Sequence, residues 1–142
     1  MKVLIADSSA LIRNRLVDSL NGDKDIEIIG QAKNAIETIA EVWELSPDAV
    51  VMDIQMPAGS AIEVLQSIKK HKPSTCVIVL TSSDDPVYRE KCMALGAYSF
   101  LDKATKFYRV AEILKVNSST AFAGCGVNDG DTRSGEGCIG DE

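Results

Sequence analysis

The stretch DAVVMDIQMP (48–57) decides the fold of this 142-residue chain. Its first part is a continuous apolar run, which is typical of a parallel strand that is covered on both faces of a sheet. The run stops at Asp53, so we expect this strand to end in a carboxylate. The sequence predicts four further strands, in KVLIA (2–6), IEIIG (26–30), TCVIVLT (75–81) and AYSFL (97–101).

Helical patterns fill the intervals between these strands, and a fifth helix is expected over roughly 105–116. Ser8-Ser9 and Gly59-Ser60 precede the first and third helices, and Asp85-Pro86 and Gly96 bound the fourth. The spacing of Trp43 on the second helix predicts packing in the core rather than a function. The apolar faces are Leu11, Ile12, Leu16 and Leu20; Ile36, Ile39, Ala40 and Trp43; Ile62, Leu65 and Ile68 or Lys69; and Val110, Ile113 and Leu114.

Five strand–helix pairs with short links predict an α/β fold with a parallel sheet and right-handed crossovers. A closed barrel needs eight such units. We therefore expect an open, doubly wound, flavodoxin-like sheet of order 2-1-3-4-5 with five helices. In that order the winding reverses between the first and third strands, and ligands bind at their carboxyl ends.

The composition changes after residue 116, where Gly, Ser, Asn and Asp replace the apolar pattern. We expect one domain over 1–116 and a disordered acidic Gly/Ser-rich tail over 117–142, because the tail has too few apolar residues to offset its ordering entropy. Cys125 and Cys138 lie in this tail without the close spacing of a zinc site. Cys76 and Cys92 lie in apolar or helical patterns and are expected to be buried.

Charge and hydropathy exclude several classes of partner. The net charge is −6, so no basic surface for direct nucleic-acid binding is expected. The sequence has neither a secretory signal nor an apolar run of membrane-spanning length, which favours the cytoplasm and no membrane partner. No output domain follows in this sequence, so we expect any effect to pass through another protein, and a homodimer through the last helices stays open.

Polar residues follow four of the predicted strands at their carboxyl ends. They are Asp7, Asp53, Thr81 and Lys103. Any one of them alone would be read as a helix cap or a surface residue. Two neighbouring carboxylates repel each other unless a positive group lies between them, and both Lys103 and a hard cation such as Mg²⁺ suit that position. Together they predict a phosphate-handling site without a glycine-rich loop.

Four stretches at this point resemble the receiver domains of bacterial response regulators. They are VLIADSSALIR (3–13), DAVVMDIQMP (48–57), VIVLTSS (77–83) and GAYSFLDK (96–103). The resemblance covers roughly residues 2–116. It implies a stand-alone receiver of two-component signalling that is not an enzyme beyond accepting its own phosphoryl group and slowly losing it.

The resemblance also implies residue roles. Asp53 accepts a phosphoryl group from a histidine kinase or phosphotransfer protein, and Mg²⁺ is held by Asp7, by Asp53 itself and by the main-chain carbonyl of Gln55. Thr81 and Lys103 bind the phosphoryl group, with Ser82 beside them.

Thr81 and Phe100 are implied as the switch that alters the surface of the fourth helix, fifth strand and fifth helix for an unidentified downstream protein. A plain strand residue packed inward is an equal reading of Phe100, since aromatic residues suit strands. His71 is assigned no phosphate-carrying role.

Three positions depart from the family pattern. Ser8 stands where most relatives have a second acid, so Ser8 is a doubtful metal ligand and weaker Mg²⁺ binding is expected. Ala104 replaces the common proline after Lys103, which makes a cis peptide bond there improbable. Ala61 replaces a frequent glycine, and little effect is expected if the backbone there is helical.

Three other functions compete with this interpretation. A degenerate receiver that acts as a phosphorylation-independent interaction module is supported by Ser8 alone. A flavodoxin-like cofactor binder needs a hydroxyl- and glycine-rich phosphate loop, whereas Asp7 would repel a phosphate. A metal-dependent phosphatase needs an acid two residues after Asp53, where Gln55 stands.

Overall fold

The computed structural model describes residues 1–55, 59–82, 85–103 and 109–119, in which five strands and five helices alternate. The strands are β1 (Lys2–Ala6), β2 (Glu27–Ala32), β3 (Ala49–Asp53), β4 (Cys76–Thr81) and β5 (Ser99–Asp102). The helices are α1 (Ala10–Leu20), α2 (Ala35–Leu45), α3 (Ala61–His71), α4 (Pro86–Ala94) and α5 (Arg109–Ser119).

The strands form one parallel sheet of order β2-β1-β3-β4-β5, which confirms the predicted fold class and strand order. β3 is the central strand and every residue in it is buried, as its apolar sequence predicts. Met52 pairs with Ala6 of β1, and Asp53 pairs with Leu80 of β4. The carboxyl ends of β1, β3 and β4 therefore meet at one edge of the sheet.

Two apolar cores cover the two faces of the sheet. Alternate residues of β3 serve different cores because successive side chains of a strand point to opposite faces. Val50 and Met52 pack with residues of α2, α3 and α4, while Ala49 and Val51 pack with α1 and α5. Cys92 lies in the first core and Cys76 in the second, so the expectation that both are buried is confirmed.

Helix caps lie where the sequence predicts them. The Ser9 hydroxyl accepts a hydrogen bond from the Ile12 amide at 3.3 Å and begins α1. Ser60 and Glu63 form a capping box at the start of α3. The Ser60 hydroxyl accepts a hydrogen bond from the Ile62 amide, and the Glu63 carboxylate accepts one from the Ser60 amide. Asp85 caps α4 ahead of proline, and Gly96 follows its end with a φ of 108°, a conformation that favours glycine.

The predicted inward faces of α1 and α2 are partly wrong. Leu11, Ile36 and Trp43 are 68%, 66% and 48% exposed. The residues of α2 that are buried are Ala35, Thr38 and Val42, which lie one position back along the chain. Thr38 tolerates burial because its hydroxyl donates a hydrogen bond to the Asn34 carbonyl at 2.7 Å.

The last helix agrees with the prediction in its inward face and differs in its bounds. Val110, Ile113 and Leu114 are buried as expected. α5 ends at Ser119, three residues beyond the expected boundary. Residues 104–108, which include Ala104, and 120–142, which include Cys125 and Cys138, lie outside the described residues. None of the helices in the described part of the chain combines the length and apolar character that crossing a membrane requires.

Candidate functional site

Asp7 is fixed immediately after β1 by three hydrogen bonds. Its amide donates a hydrogen bond to the carbonyl of Ala32 on β2 at 2.9 Å. Its Oδ1 accepts a hydrogen bond from the Ser9 amide at 2.8 Å, at the start of α1. The Arg13 guanidinium donates a hydrogen bond to the Asp7 carbonyl at 2.6 Å. The side chain is buried, so these contacts leave its orientation little freedom.

Asp53 is the last residue of β3, and it is 5% exposed. Its Oδ1 accepts a hydrogen bond from the Gln55 amide at 3.1 Å. Its Oδ2 lies 3.1 Å from the Nζ of Lys103. One carboxylate oxygen is therefore held by the loop that follows β3, and the other faces a cation.

Lys103 brings the two carboxylates together. Its amide donates a hydrogen bond to the Thr81 carbonyl at 2.8 Å, which continues the pairing of β5 with β4. Its Nζ lies 2.8 Å from Asp7 Oδ2 as well as close to Asp53. A single ammonium group thus contacts the ends of two adjacent strands at the point where the winding reverses.

Thr81, Ser82 and Ser8 complete the edge of the sheet. Thr81 ends β4 and is buried, and its neighbour Ser82 is exposed. Thr81 directly follows Leu80, which pairs with Asp53. Ser8 is exposed beside the buried Asp7. The edge therefore combines a buried hydroxyl with two exposed ones.

Burial and charge shift the pKa values of this cluster. Burial raises the pKa of Asp53 above its ordinary value of 3.8, and the charge of Asp7 adds to the rise. The Gln55 amide and Lys103 act in the opposite direction without cancelling it. Burial lowers the pKa of Lys103, but the hydrogen bond and charge of Asp7 and the charge of Asp53 outweigh it, so this pKa is raised. Lys103 is therefore charged at neutral pH.

The donor set fits a hard cation that keeps several of its waters. Apart from the ion pair with Lys103, the buried Asp7 Oδ2 accepts no hydrogen bond from any described residue. In the described part of the chain, no group of three or more His, Cys, Asp or Glu residues is placed to hold a metal ion. Mg²⁺ needs no such cluster, since one or two carboxylates, waters and a substrate phosphate suffice. The oxygen atoms of Asp7, Asp53 and the Gln55 carbonyl are the kind of ligand that Mg²⁺ prefers, whereas zinc sites mostly use Cys and His.

Phe100 lies on β5 with its side chain 3% exposed. Its ring packs in the core formed by α2, α3 and α4. Arg89 of α4 lies over this ring, with its guanidinium carbon 5.0 Å from the ring centre. The structure thus agrees with the inward packing that was one of the two readings of Phe100.

Sequence reasoning missed Arg13 and Arg89, which contact residues of the predicted site. Arg13 lies in the second turn of α1, and helical side chains lean towards the N-terminus of their helix. An arginine one turn after the cap of a helix that follows a site strand is therefore placed to reach back to that strand. The spacing of Arg13 could be seen in the sequence, whereas the contact of Arg89 with Phe100 on β5 could not.

Comparison with known families assigns the chain. Residues 3–115 match the response regulator receiver domain. The chain belongs to this family. The match covers the five strands except for Lys2 and most of α5, and it includes Asp7, Asp53, Thr81 and Lys103.

Relatives and solved structures agree with the assignment. The chain is 31% identical over 115 residues to a protein-glutamate methylesterase/protein-glutamine glutaminase of Clostridium acetobutylicum, covering 80% of this chain and 33% of that protein. It is 36% identical to the transcriptional regulatory protein BtsR of Salmonella typhi, covering 80% of this chain and 46% of that protein. The response regulator domain of Thermotoga maritima CheB, known from a crystal structure, is 31% identical in sequence with a TM-score of 0.74. The match covers 86% of this chain and 96% of that structure.

The likeness to these longer proteins is limited to their receivers. The chain spans a third of the methylesterase and less than half of BtsR. It spans nearly the whole of the CheB receiver structure. What the chain shares with all three is therefore the receiver alone.

Proposed function

We propose that this receiver accepts a phosphoryl group on Asp53 from the phosphorylated histidine of a histidine kinase or phosphotransfer protein, and that the phosphorylated form presents a changed surface to a downstream protein. The observation that carries the proposal is the Lys103 ammonium, which contacts both the Asp7 and the Asp53 carboxylates. A plain structural ion pair needs only one acid. Two acids and a cation at a strand switch point suit the transfer of a dianionic group.

Asp53 is the group best placed to act as the nucleophile. The Gln55 amide and Lys103 hold its two oxygens in a fixed orientation. In the transfer, an Asp53 oxygen forms a bond to phosphorus as the bond from phosphorus to the donor histidine nitrogen breaks, and that nitrogen keeps the electron pair. Phosphoryl transfer depends mainly on such positioning and on neutralising charge.

Mg²⁺ would be held by Asp7, Asp53 and the Gln55 carbonyl, and Ser8 adds no charge to this set. When bound, it supplies positive charge that neutralises the phosphoryl oxygens. Lys103 supplies the second positive charge from the protein itself. Thr81 supplies a buried hydroxyl donor at the same edge of the sheet for a phosphoryl oxygen, and the exposed Ser82 leaves the edge accessible.

The downstream partner is proposed to bind the surface of α4, β5 and α5. Val87 and Tyr88 of α4 are large apolar residues that are 60% and 47% exposed. Thr81 pairs with Asp102 of β5, and Val79, two residues earlier, pairs with Phe100, so a movement of Thr81 towards a phosphoryl group would act directly on β5. Phosphorylation shifts an existing equilibrium only as far as it binds one state better.

The test is the mass of the intact chain after incubation with acetyl phosphate and Mg²⁺. We expect wild type to gain one phosphoryl group, Asp53→Asn to gain none, and the exposed-site control Asp18→Asn to behave as wild type. A wild-type chain that gains no mass would favour the degenerate receiver that acts without phosphorylation. Mass gained by Asp53→Asn would move the acceptor to another residue.

A further inference from the structure

Arg89 makes two contacts with the same residue of the neighbouring strand. Its Nη1 donates a hydrogen bond to the Phe100 carbonyl at 3.2 Å, and its guanidinium carbon lies 5.0 Å from the centre of the Phe100 ring. Arg89 lies three residues before Cys92, which packs in the same core as Phe100. Helix geometry therefore places Arg89 at the rim of that core, above the ring.

The backbone contact has a structural reason. β5 is an edge strand of the sheet, and successive residues of a strand direct their backbone groups to alternate sides. Because the Lys103 amide is directed to Thr81 on β4, the Phe100 carbonyl is directed to the open edge. Arg89 thus covers an edge carbonyl that would otherwise depend on water.

The ring contact closes the remaining side of Phe100. The ring is almost fully buried although its strand is at the edge of the sheet. A guanidinium over an aromatic face is attracted by the ring and shields it from solvent. Removing the Arg89 side chain would therefore both expose the ring and free its backbone.

We propose that Arg89 is a positioning residue that holds Phe100 in its buried position before Asp53 is phosphorylated. The proposal rests on the proposed function and adds to it that the buried position of Phe100 belongs to the arrangement that phosphorylation favours. The α4–β5 surface of the unphosphorylated chain is then already biased towards that arrangement. Arg89 has then already raised the population of chains with Phe100 buried, and phosphorylation of Asp53 raises it further.

The direct test is ¹⁹F NMR of the full chain labelled with 4-fluorophenylalanine. The chain has three phenylalanines, and Phe107→Leu and Phe122→Leu assign the Phe100 signal by elimination. In Arg89→Ala we expect the ratio of buried to exposed Phe100 ring to fall about two- to fivefold, the range of an exposed cation–π contact. Lys91→Ala, a substitution at another exposed position of α4, should leave the signal unchanged.

An unchanged Phe100 signal in Arg89→Ala would overturn the proposal. If Arg89→Ala does not fold, Arg89→Lys replaces it, because lysine keeps the charge but loses the planar fork. Arg89→Lys should shift the signal in the same direction by a smaller amount, and no shift in that variant also overturns the proposal.

A second measurement connects the ring to phosphorylation. The rate of phosphoryl uptake from acetyl phosphate should fall about two- to fivefold in Arg89→Ala, in proportion to the lost buried population. An unchanged rate with a shifted ring would overturn the link between Phe100 and Asp53. Failure of wild type itself to take up phosphate would contradict the proposed function, while the fluorine result on Arg89 would still stand.

Discussion

The carboxyl edge of the sheet and the outer face of α2 reverse the usual distribution of residues. At the edge, Asp7, Asp53 and Thr81 are buried. On the outer face of α2, Ile36 and Trp43 are exposed. The difference shows that position in the backbone determines burial here, since strand ends direct polar groups into the interior and α2 has more apolar residues than its inward face accepts.

The two regions also differ in how their residues are stabilised. Each buried carboxylate has a partner: the Ser9 amide for Asp7, the Gln55 amide for Asp53 and Lys103 for both. Trp43 is about half exposed and lies beside Ser67, Ile68 and His71 of α3. Its ring lies 4.7 Å from the His71 ring and 5.7 Å from the Lys72 ammonium. Substitutions at the edge should therefore change stability far more than substitutions on α2.

The largest effect is expected from Lys103→Met. It leaves two buried carboxylates without their cation, and removal of one partner from a buried pair lowers the free energy of unfolding by about 3–5 kcal/mol. Because the pKa of Lys103 is raised, its contribution is present through neutral pH and is lost only as pH rises above 10.5. Urea unfolding at pH 7 measures the loss, with Lys91→Met as control. Equal midpoints for the two variants would contradict the bridging role.

Ser8→Asp adds a charge to the edge at an exposed position. The new carboxylate stays solvated and increases the ligand charge beside Asp7, so Mg²⁺ affinity should rise on the order of tenfold. Isothermal titration calorimetry with Mg²⁺ measures the change in affinity. Ser19→Asp, on the exposed surface of α1, serves as control. An affinity in wild type equal to that of Ser8→Asp would show that the missing acid does not weaken the site.

Asp53→Asn should stabilise the chain at neutral pH by about 0.5–2 kcal/mol, the usual range for a stabilising substitution. The raised pKa of Asp53 means that the folded state binds its proton more tightly, so stability falls as pH rises from 3.8 through the raised value. The advantage of the asparagine should therefore be present at pH 7 and vanish as pH falls towards 3.8. Thermal unfolding across pH checks this, and an advantage independent of pH would contradict it.

The smallest effect is expected from Trp43→Ala. Although tryptophan is the largest side chain, its exposed position and one cation–π contact should limit the loss to less than about 1 kcal/mol. Leu65→Ala, in the core under α3, should cost about 2–5 kcal/mol in the same urea assay. A loss from Trp43→Ala as large as that from Leu65→Ala would show that α2 packs by the face the sequence predicted.

The sequence sufficed for the fold because each strand is a compact apolar run between clear helix signals. The predicted β2 was too short: it ended at Gly30, whereas the strand continues to Ala32. Gly30 is a point of close approach rather than a stop, because a Cβ there would lie against Glu41 and Leu45 of α2.

The rotation of α2 could not be predicted for a different reason. Two adjacent stripes of that helix carry apolar residues, and periodicity does not choose between them. Thr38 settles the choice in the structure, because its hydroxyl is satisfied within its own helix by Asn34 and can be buried. At the site, the sequence placed Asp7, Asp53 and Lys103 at one edge, but the shared contact of Lys103 with both acids depends on side-chain geometry.

The two buried cysteines, Cys76 and Cys92, can be used to measure the motion of α4. Burial raises the pKa of the Cys92 thiol, so little of the reactive thiolate forms while α4 stays on the sheet. We therefore expect the alkylation rate of Cys92 to depend on how often α4 lifts off the sheet, and that of Cys76, the buried first residue of β4, to depend on opening of the whole domain. The ratio of the two labelling rates would then separate local opening of α4 from global unfolding in a single sample.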